Sequence, residues 1–295
     1  MFTDTDDLQR FIPVTQAFSP ESLLPFIDDA AYTYVVPYLT KKQYDLLLQN
    51  GGDDELLDKV KAVIANFATL AYLPWLNVQA SDAGLHRIET DTQKALFRYQ
   101  ETELKHSLWV NGFAAIEAML RYLEEAGYNK YPHYINGEYA KRIRESVIQT
   151  ADEFKSISGS DSRVLFWELS TYIQSQQDNV FDWLPPYIVG LIKHNTEHAI
   201  VQKMLHWLRE LIGCRAMEQA LRYKAIVLQS DGAYRVSKFG SETTPEYAPA
   251  DAVFLQDVRN GYEERAKRAY TKINDYLVAN NYATRIKSKS KNVWL

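Results

Sequence analysis

The chain has 295 residues, 46% of them hydrophobic, enough to bury one large core or two ordinary ones. Its formal net charge of −5 is the wrong sign for a protein whose whole surface tracks nucleic acid. The one cysteine, Cys214, excludes an internal disulfide and a metal site built from cysteines. It sits among Leu211, Ile212 and Met217, where a buried thiol is expected rather than a reactive one. The acidic start, Met1 to Asp7, lacks the basic and apolar regions of a secretory signal, and no apolar run approaches a membrane span. The expectation is a soluble protein kept in a reducing compartment.

Residues 1–18 read as an N-terminal segment, followed by a first helical unit over 19–126. Ser19-Pro20-Glu21 combines a capping hydroxyl, a proline for the first helical position and an acid for the first turn. The helix it opens should reach about Tyr38 and bury Leu23, Phe26, Ile27, Ala30 and Tyr34. Thr40 and Gln43 have capping-box spacing and start a short helix that stops at Asn50-Gly51-Gly52. A long helix is expected from Asp54 to Leu76, with Leu57, Val60, Ile64, Phe67, Ala68 and Ala71 on one side and Pro74 ending or kinking it. Between Leu85 and Tyr99 the pattern alternates instead, which predicts a short β-hairpin or extended arm carrying Leu85, Arg87 and Ile88. Glu101 to Ala126 returns to helical spacing and ends at Gly127. Residues 127–161 read as a linker containing a helix near Glu138–Phe154.

A second helical unit is expected over 162–280. Its helices should cover Ser162–Gln176, Val180–Lys193, Asn195–Tyr223 and Asp251–Asn280. Val227 to Phe239 alternates around Gln229-Ser230-Asp231-Gly232, predicting a second hairpin with Tyr234, Val236 and Phe239 on its arm. Residues 281–295 then form a basic C-terminal arm. Arg285, Lys287, Lys289 and Lys291 stand there without any acid, ahead of Val293-Trp294-Leu295. Basic alternation with an apolar tip suits an arm that docks on an acidic neighbouring surface.

The two units repeat. Pro37-Tyr38 recurs as Pro186-Tyr187, Ala71 as Ala220 and Ser81-Asp82 as Ser230-Asp231, each 149 positions on. Further along the step is 154. Leu104, Leu108, Gly112, Ala115, Ile116, Met119, Tyr122 and Leu123 then match Val258, Tyr262, Ala266, Ala269, Tyr270, Ile273, Tyr276 and Leu277. A repeat of about 150 residues is domain-sized. The fold class is therefore mainly α: two similar helical-bundle units, each with a short β-hairpin or extended arm.

The residues that carry chemistry are few. His194 and His198 are spaced i, i+4 near Glu197, so one helical face could present both to a metal ion. The acid is misplaced for the metalloprotease motif, and His206 lies two turns on, beyond a shared ion. The glycines form no phosphate loop and no nucleophile elbow appears. Asp28-Asp29, Asp53-Asp54 and Glu263-Glu264 read as dipole and solubility acids. No catalytic, cofactor-binding or metal residues are assigned, and the expected activity is non-enzymatic.

The stretch Glu21-Ser-Leu-Leu-Pro-Phe-Ile-Asp-Asp-Ala-Ala-Tyr through Val36-Pro-Tyr-Leu39, followed by Leu57–Leu76, Leu85–Tyr99 and Leu104–Leu123, resembles the head–tail connector (adaptor) proteins of tailed bacteriophages. It is also similar to structural proteins of phages and prophages of Bacteroidetes. The resemblance covers about 19–126 and, more weakly, 162–280, in a chain about twice the usual length. It implies a ring-forming virion component at the head–tail interface, assembled in the bacterial cytoplasm. Its partners would be its own copies, a portal above, and tail or other ring proteins below, with DNA only as passing cargo and no membrane. Two alternatives stand beside it: a helical scaffold for other partners, and a metal-dependent helical-bundle enzyme using His194 and His198.

Overall fold

A computed structural model describes residues 1–2, 4–13, 18, 20–50, 55–76, 78–81, 84–87, 98–126, 130–194, 197–222, 227–229, 232–234 and 252–282. The chain is mainly helical and divides into two compact units, Met1–Gly137 and Glu138–Leu295.

In the first unit α1 (Thr5–Gln9) is capped by Asp4, whose carboxylate accepts the Asp7 amide. Asp7 and Asp58 hold it to the following helices through Lys61 at 2.7 Å and Arg10 at 2.8 Å. The helix expected over 19–38 is broken into three. A 3₁₀ turn (Pro20–Leu23) leads into α2 (Leu24–Tyr34), and α3 (Val36–Leu39) follows after Val35. Proline recurs at 20, 25 and 37, each without an amide hydrogen to continue the ladder, which explains the subdivision. α4 (Lys41–Asn50) starts behind Thr40, whose hydroxyl accepts the Gln43 amide at 3.4 Å and donates to the His133 carbonyl at 3.3 Å. Thr40 has φ +72°, a costly conformation for a β-branched residue. Its methyl packs against Gly137, where a Cβ would come within 2.6 Å of it.

α5 (Glu55–Tyr72) and α6 (Arg98–Glu125) form the stem of this unit, with α2 laid against α5. Leu56, Val60, Val63, Ile64, Phe67 and Ala68 of α5 meet Leu108, Ile116, Met119, Leu120 and Leu123 of α6 in a buried core. Each of these side chains except Ala68 contributes about 1.5–3 kcal/mol on burial. Phe67 is the keystone. Tyr34 stacks on it at 3.7 Å, Trp109 and Phe113 meet it edge-on at 5.9 and 5.5 Å, and Gly112 makes room for its ring. Pro74 does end α5: the chain tightens into a 3₁₀ turn (Leu73–Trp75) and then extends as β1 (Val78–Ser81). β2 (Gly84–Arg87) pairs with it antiparallel, Val78 opposite Arg87 and Ala80 opposite Leu85. The short helix α7 (Pro132–Ile135) closes the unit against α4.

The second unit begins with α8 (Glu138–Arg144) and α9 (Ala151–Ser158). The sequence predicts a linker with one helix over 138–154 here; instead two helices stand apart, and Ile143, Val147, Ile148, Phe154 and Ile157 belong to the core of this unit. Thr150 caps α9 by accepting the Glu153 amide, and Gly159 ends it in the left-handed conformation at φ +79°. α10 (Arg163–Trp183) runs unbroken where two helices were expected, because its only interrupting signal, Pro185-Pro186, lies beyond its end. α11 (Pro186–His194) is followed by α12 (Ala199–Arg222), and β3 (Val227–Gln229) pairs antiparallel with β4 (Gly232–Tyr234). α13 (Ala252–Ala279) packs along α12, and α10 lies against the same helix. Leu208, Leu211, Ile212, Ala216, Met217 and Ala220 of α12 meet Tyr262, Ala266, Ala269, Ile273 and Leu277 of α13 in this core.

Candidate functional site

Each hairpin emerges between two long, tightly packed helices: β1–β2 between α5 and α6, β3–β4 between α12 and α13. The sheets have two strands each, so both edges of each hairpin lack a third strand among the described residues. Of the residues expected on the first arm, Leu85 and Arg87 lie in β2, opposite Ala80 and Val78, and Ile88 lies outside the described residues. The first strand was missed. Alternation was read from Leu85 onward, whereas the hairpin starts at Val78, as soon as Pro74 has stopped α5. On the second arm Tyr234 pairs with Val227, and Val236 and Phe239 lie outside the described residues. The docking-arm residues Arg285, Lys287, Lys289, Lys291, Val293, Trp294 and Leu295 also lie outside them.

The roots of the arms carry exposed apolar groups that the sequence reading did not single out. Trp75 is 53% exposed, Leu76 also faces solvent, and Tyr99 is 61% exposed at the start of α6. In the second unit Val253 is exposed at the start of α13. The signal available in the sequence was Pro74, since residues after a helix break leave the buried stripe of that helix.

The stem of the second unit is locked by charge. Arg265 of α13 donates from Nε to Glu210 at 3.2 Å, and from its terminal nitrogens to the carbonyls of Ile157 and Ser156 at 3.0 and 3.1 Å. It therefore caps the C-terminal end of α9 while bracing α12. Arg209 of α12 ties down the entry to α9, donating to the Val147 carbonyl at 3.1 Å and to Glu153 at 2.5 Å. Buried Glu218 binds Arg215 at 2.7 Å and Arg222 at 2.9 Å. Asp152, His206, Arg209, Glu210 and Arg265 line a cleft of about 440 Å³ between α9, α12 and α13. Both its arginines are spent on carboxylates and backbone carbonyls, so its chemistry is that of a brace.

The histidine pair does not share a helix. α11 ends at His194, α12 begins at Ala199, and the His198 ring turns back so that Nδ1 accepts the Ile200 amide at 3.3 Å. A single helical face carrying both rings, expected from the i, i+4 spacing, is therefore wrong: His198 caps the next helix. Among the described residues no three His, Cys, Asp or Glu come together to hold a metal ion. Cys214 is fully buried, and burial pushes its thiol up to about 12. Among the described residues no helix is long and apolar enough to cross a membrane.

No curated protein and no solved structure matches the chain. One family model does, over residues 24–144 and again over 171–292, which takes in α2 to α8 and most of α10 to α13. Most of the chain being matched, the protein belongs to that family, a family of unknown function (DUF6712).

Proposed function

We propose that the protein is a structural, ring-forming component of a tailed-phage head–tail junction, built from two copies of one helical block with a hairpin arm on each. It works by oligomerising around the DNA exit channel, with a portal on one side and tail or other ring proteins on the other. The observation that supports this best is the placement of the hairpins. In each unit a two-stranded sheet interrupts the connection between the two helices of a rigid stem. A lone hairpin is marginal in water and its edges are templates for a further strand. Strand addition from a neighbouring copy satisfies those edges, while the stems set the angle between subunits. The family match over two segments and the 149-residue step in the sequence support reading the units as copies of one block.

The test is the state of assembly. Mass photometry and negative-stain electron microscopy of the purified chain, alone and mixed with portal and tail proteins encoded beside it, should reveal closed rings. Monomers under every one of these conditions would overturn the proposal. Stable complexes with unrelated partners and no ring would favour a general helical scaffold.

A further inference from the structure

The two units differ in what covers one helix face. On the 149-residue step, Leu24, Asp28 and Tyr32 of α2 correspond to Ile173, Gln177 and Phe181 of α10. In the second unit this stripe is covered. The chain between α8 and α9 crosses α10, and Gln177 clamps it, accepting the Val147 amide at 2.7 Å and donating to the Glu145 carbonyl at 2.9 Å. Arg142 of α8 adds a bond to Ser170 at 2.9 Å, and Ile173 is only 1% exposed. In the first unit the same stripe is bare: Leu24 is 60% and Tyr32 50% exposed, and Asp28 faces solvent between them. On the core side Ala31 and Val35 match Val180 and Leu184, all four buried, while Ala30 is buried where Asn179 is exposed.

The chemistry of the bare stripe specifies the cover. Where Gln177 can both donate and accept, Asp28 only accepts, so it suits amide and ammonium donors and repels carboxylates. Asp29 adds a second exposed acid on α2, and Asp45 of α4 approaches the same Tyr44 ring as Asp28. Lys41 is the nearby countercharge, 5.9 Å from the Tyr32 ring. Leu24, Tyr32 and the exposed Leu48 supply apolar contact. One segment of this chain has the complementary composition: residues 283–295, with four basic residues at alternate positions, no acid, and Val293-Trp294-Leu295 at the tip. Extended, it sets all four charges on one side. Its reach of up to ~43 Å far exceeds the ~12 Å from Leu24 to Tyr32.

We infer that the exposed face of α2, centred on Leu24, Asp28 and Tyr32, is the seat of the basic segment 283–295 of a second copy of the chain. The inference rests on the ring reading, because a contact between two different patches of identical copies is the kind that closes a ring. It supplies in trans the cover that the second unit takes from its own sequence.

The test uses the full-length chain with a photo-crosslinking amino acid in place of Trp294, prepared as a mixture of ¹⁴N and ¹⁵N copies. Irradiation should join position 294 to residues 24–32 or 41–48 between copies of different isotope. The double variant Asp28→Lys, Asp29→Lys, both on exposed positions, should reduce that yield about tenfold while circular dichroism melts stay unchanged. Cross-links elsewhere, cross-links within one copy only, or an undiminished yield in the variant would overturn the inference. Electron microscopy of the same samples separates the two failures. Rings with cross-links elsewhere remove this inference alone, and an absence of both rings and cross-links removes the ring reading with it.

Discussion

Gly112 faces the Phe67 ring so closely that a methyl group there would lie 2.6 Å from its tip. The ring is held by Tyr34, Trp109 and Phe113 and has nowhere to go. Gly112→Ala should therefore destabilise by about 1–3 kcal/mol through overpacking, even though alanine gains about 1 kcal/mol in helix propensity. Urea unfolding would show it, and Phe67→Leu in the same chain should recover part of the loss. Two further side chains make stability depend on alkaline pH. The Cys214 thiol ionises near 9.0 when unprotected and is pushed up to about 12 by burial. Tyr44 moves from 10.0 to about 12, first through burial and then through Asp28 and its neighbours. Between those values the unfolded chain has lost protons that the folded chain keeps, so raising the pH favours unfolding. The stability is fully present below pH 9 and should fall by on the order of 1 kcal/mol per pH unit above it, more steeply beyond 10. Urea midpoints across this range would record the decline, and Cys214→Ala should abolish the part that begins near 9. A midpoint independent of pH up to 11 would contradict the buried placement of both groups.

The hairpins contribute little to the stability of their own units, since an isolated pair of strands is marginal. Replacing residues 77–97 with a short Gly-Ser linker should leave the melting temperature within a few degrees while abolishing assembly, as seen by circular dichroism and mass photometry together. A large drop in melting temperature would mean that the arm is part of the core. At this scale the sequence was legible wherever a strong local signal coincided with burial. Thr40, Pro74, Ser162 and Gly159 end or begin helices for reasons readable from residue type. It was illegible where spacing is shared by different structures. The i, i+4 step from His194 to His198 spans two helices, which only the start of α12 at Ala199 reveals. The sequence predicts one helix near Glu138–Phe154, but α8 stops at Arg144 and α9 starts only at Ala151, leaving Val147 and Ile148 between two helices. They are buried by an extended crossing instead. Leu24 and Tyr32 lie off the apolar stripe that the spacing marks on this helix, and Trp75 follows the break at Pro74, so spacing alone gives no reason to expect them buried.

Each unit has its own core, so removing the segment beyond Tyr282 should leave the fold intact. The truncated chain should melt as the full one does and yet form rings only at higher protein concentration, a comparison that light scattering can make. Rings forming at unchanged concentration would detach the basic arm from assembly. A chain with two compact helical units also faces a hazard at this scale, because a helix of one unit can dock in the other during folding. On the paired numbering Phe67 and Gly112 of the first unit stand where the second has Ala216 and Ala266, both fully buried. Offered the wrong partner, α5 would press its phenyl ring into the methyl of Ala266, and α12 would leave a hole over Gly112. An exchange of α5 and α12 should therefore lose packing energy on both sides, which sets the native pairing apart from the exchanged one.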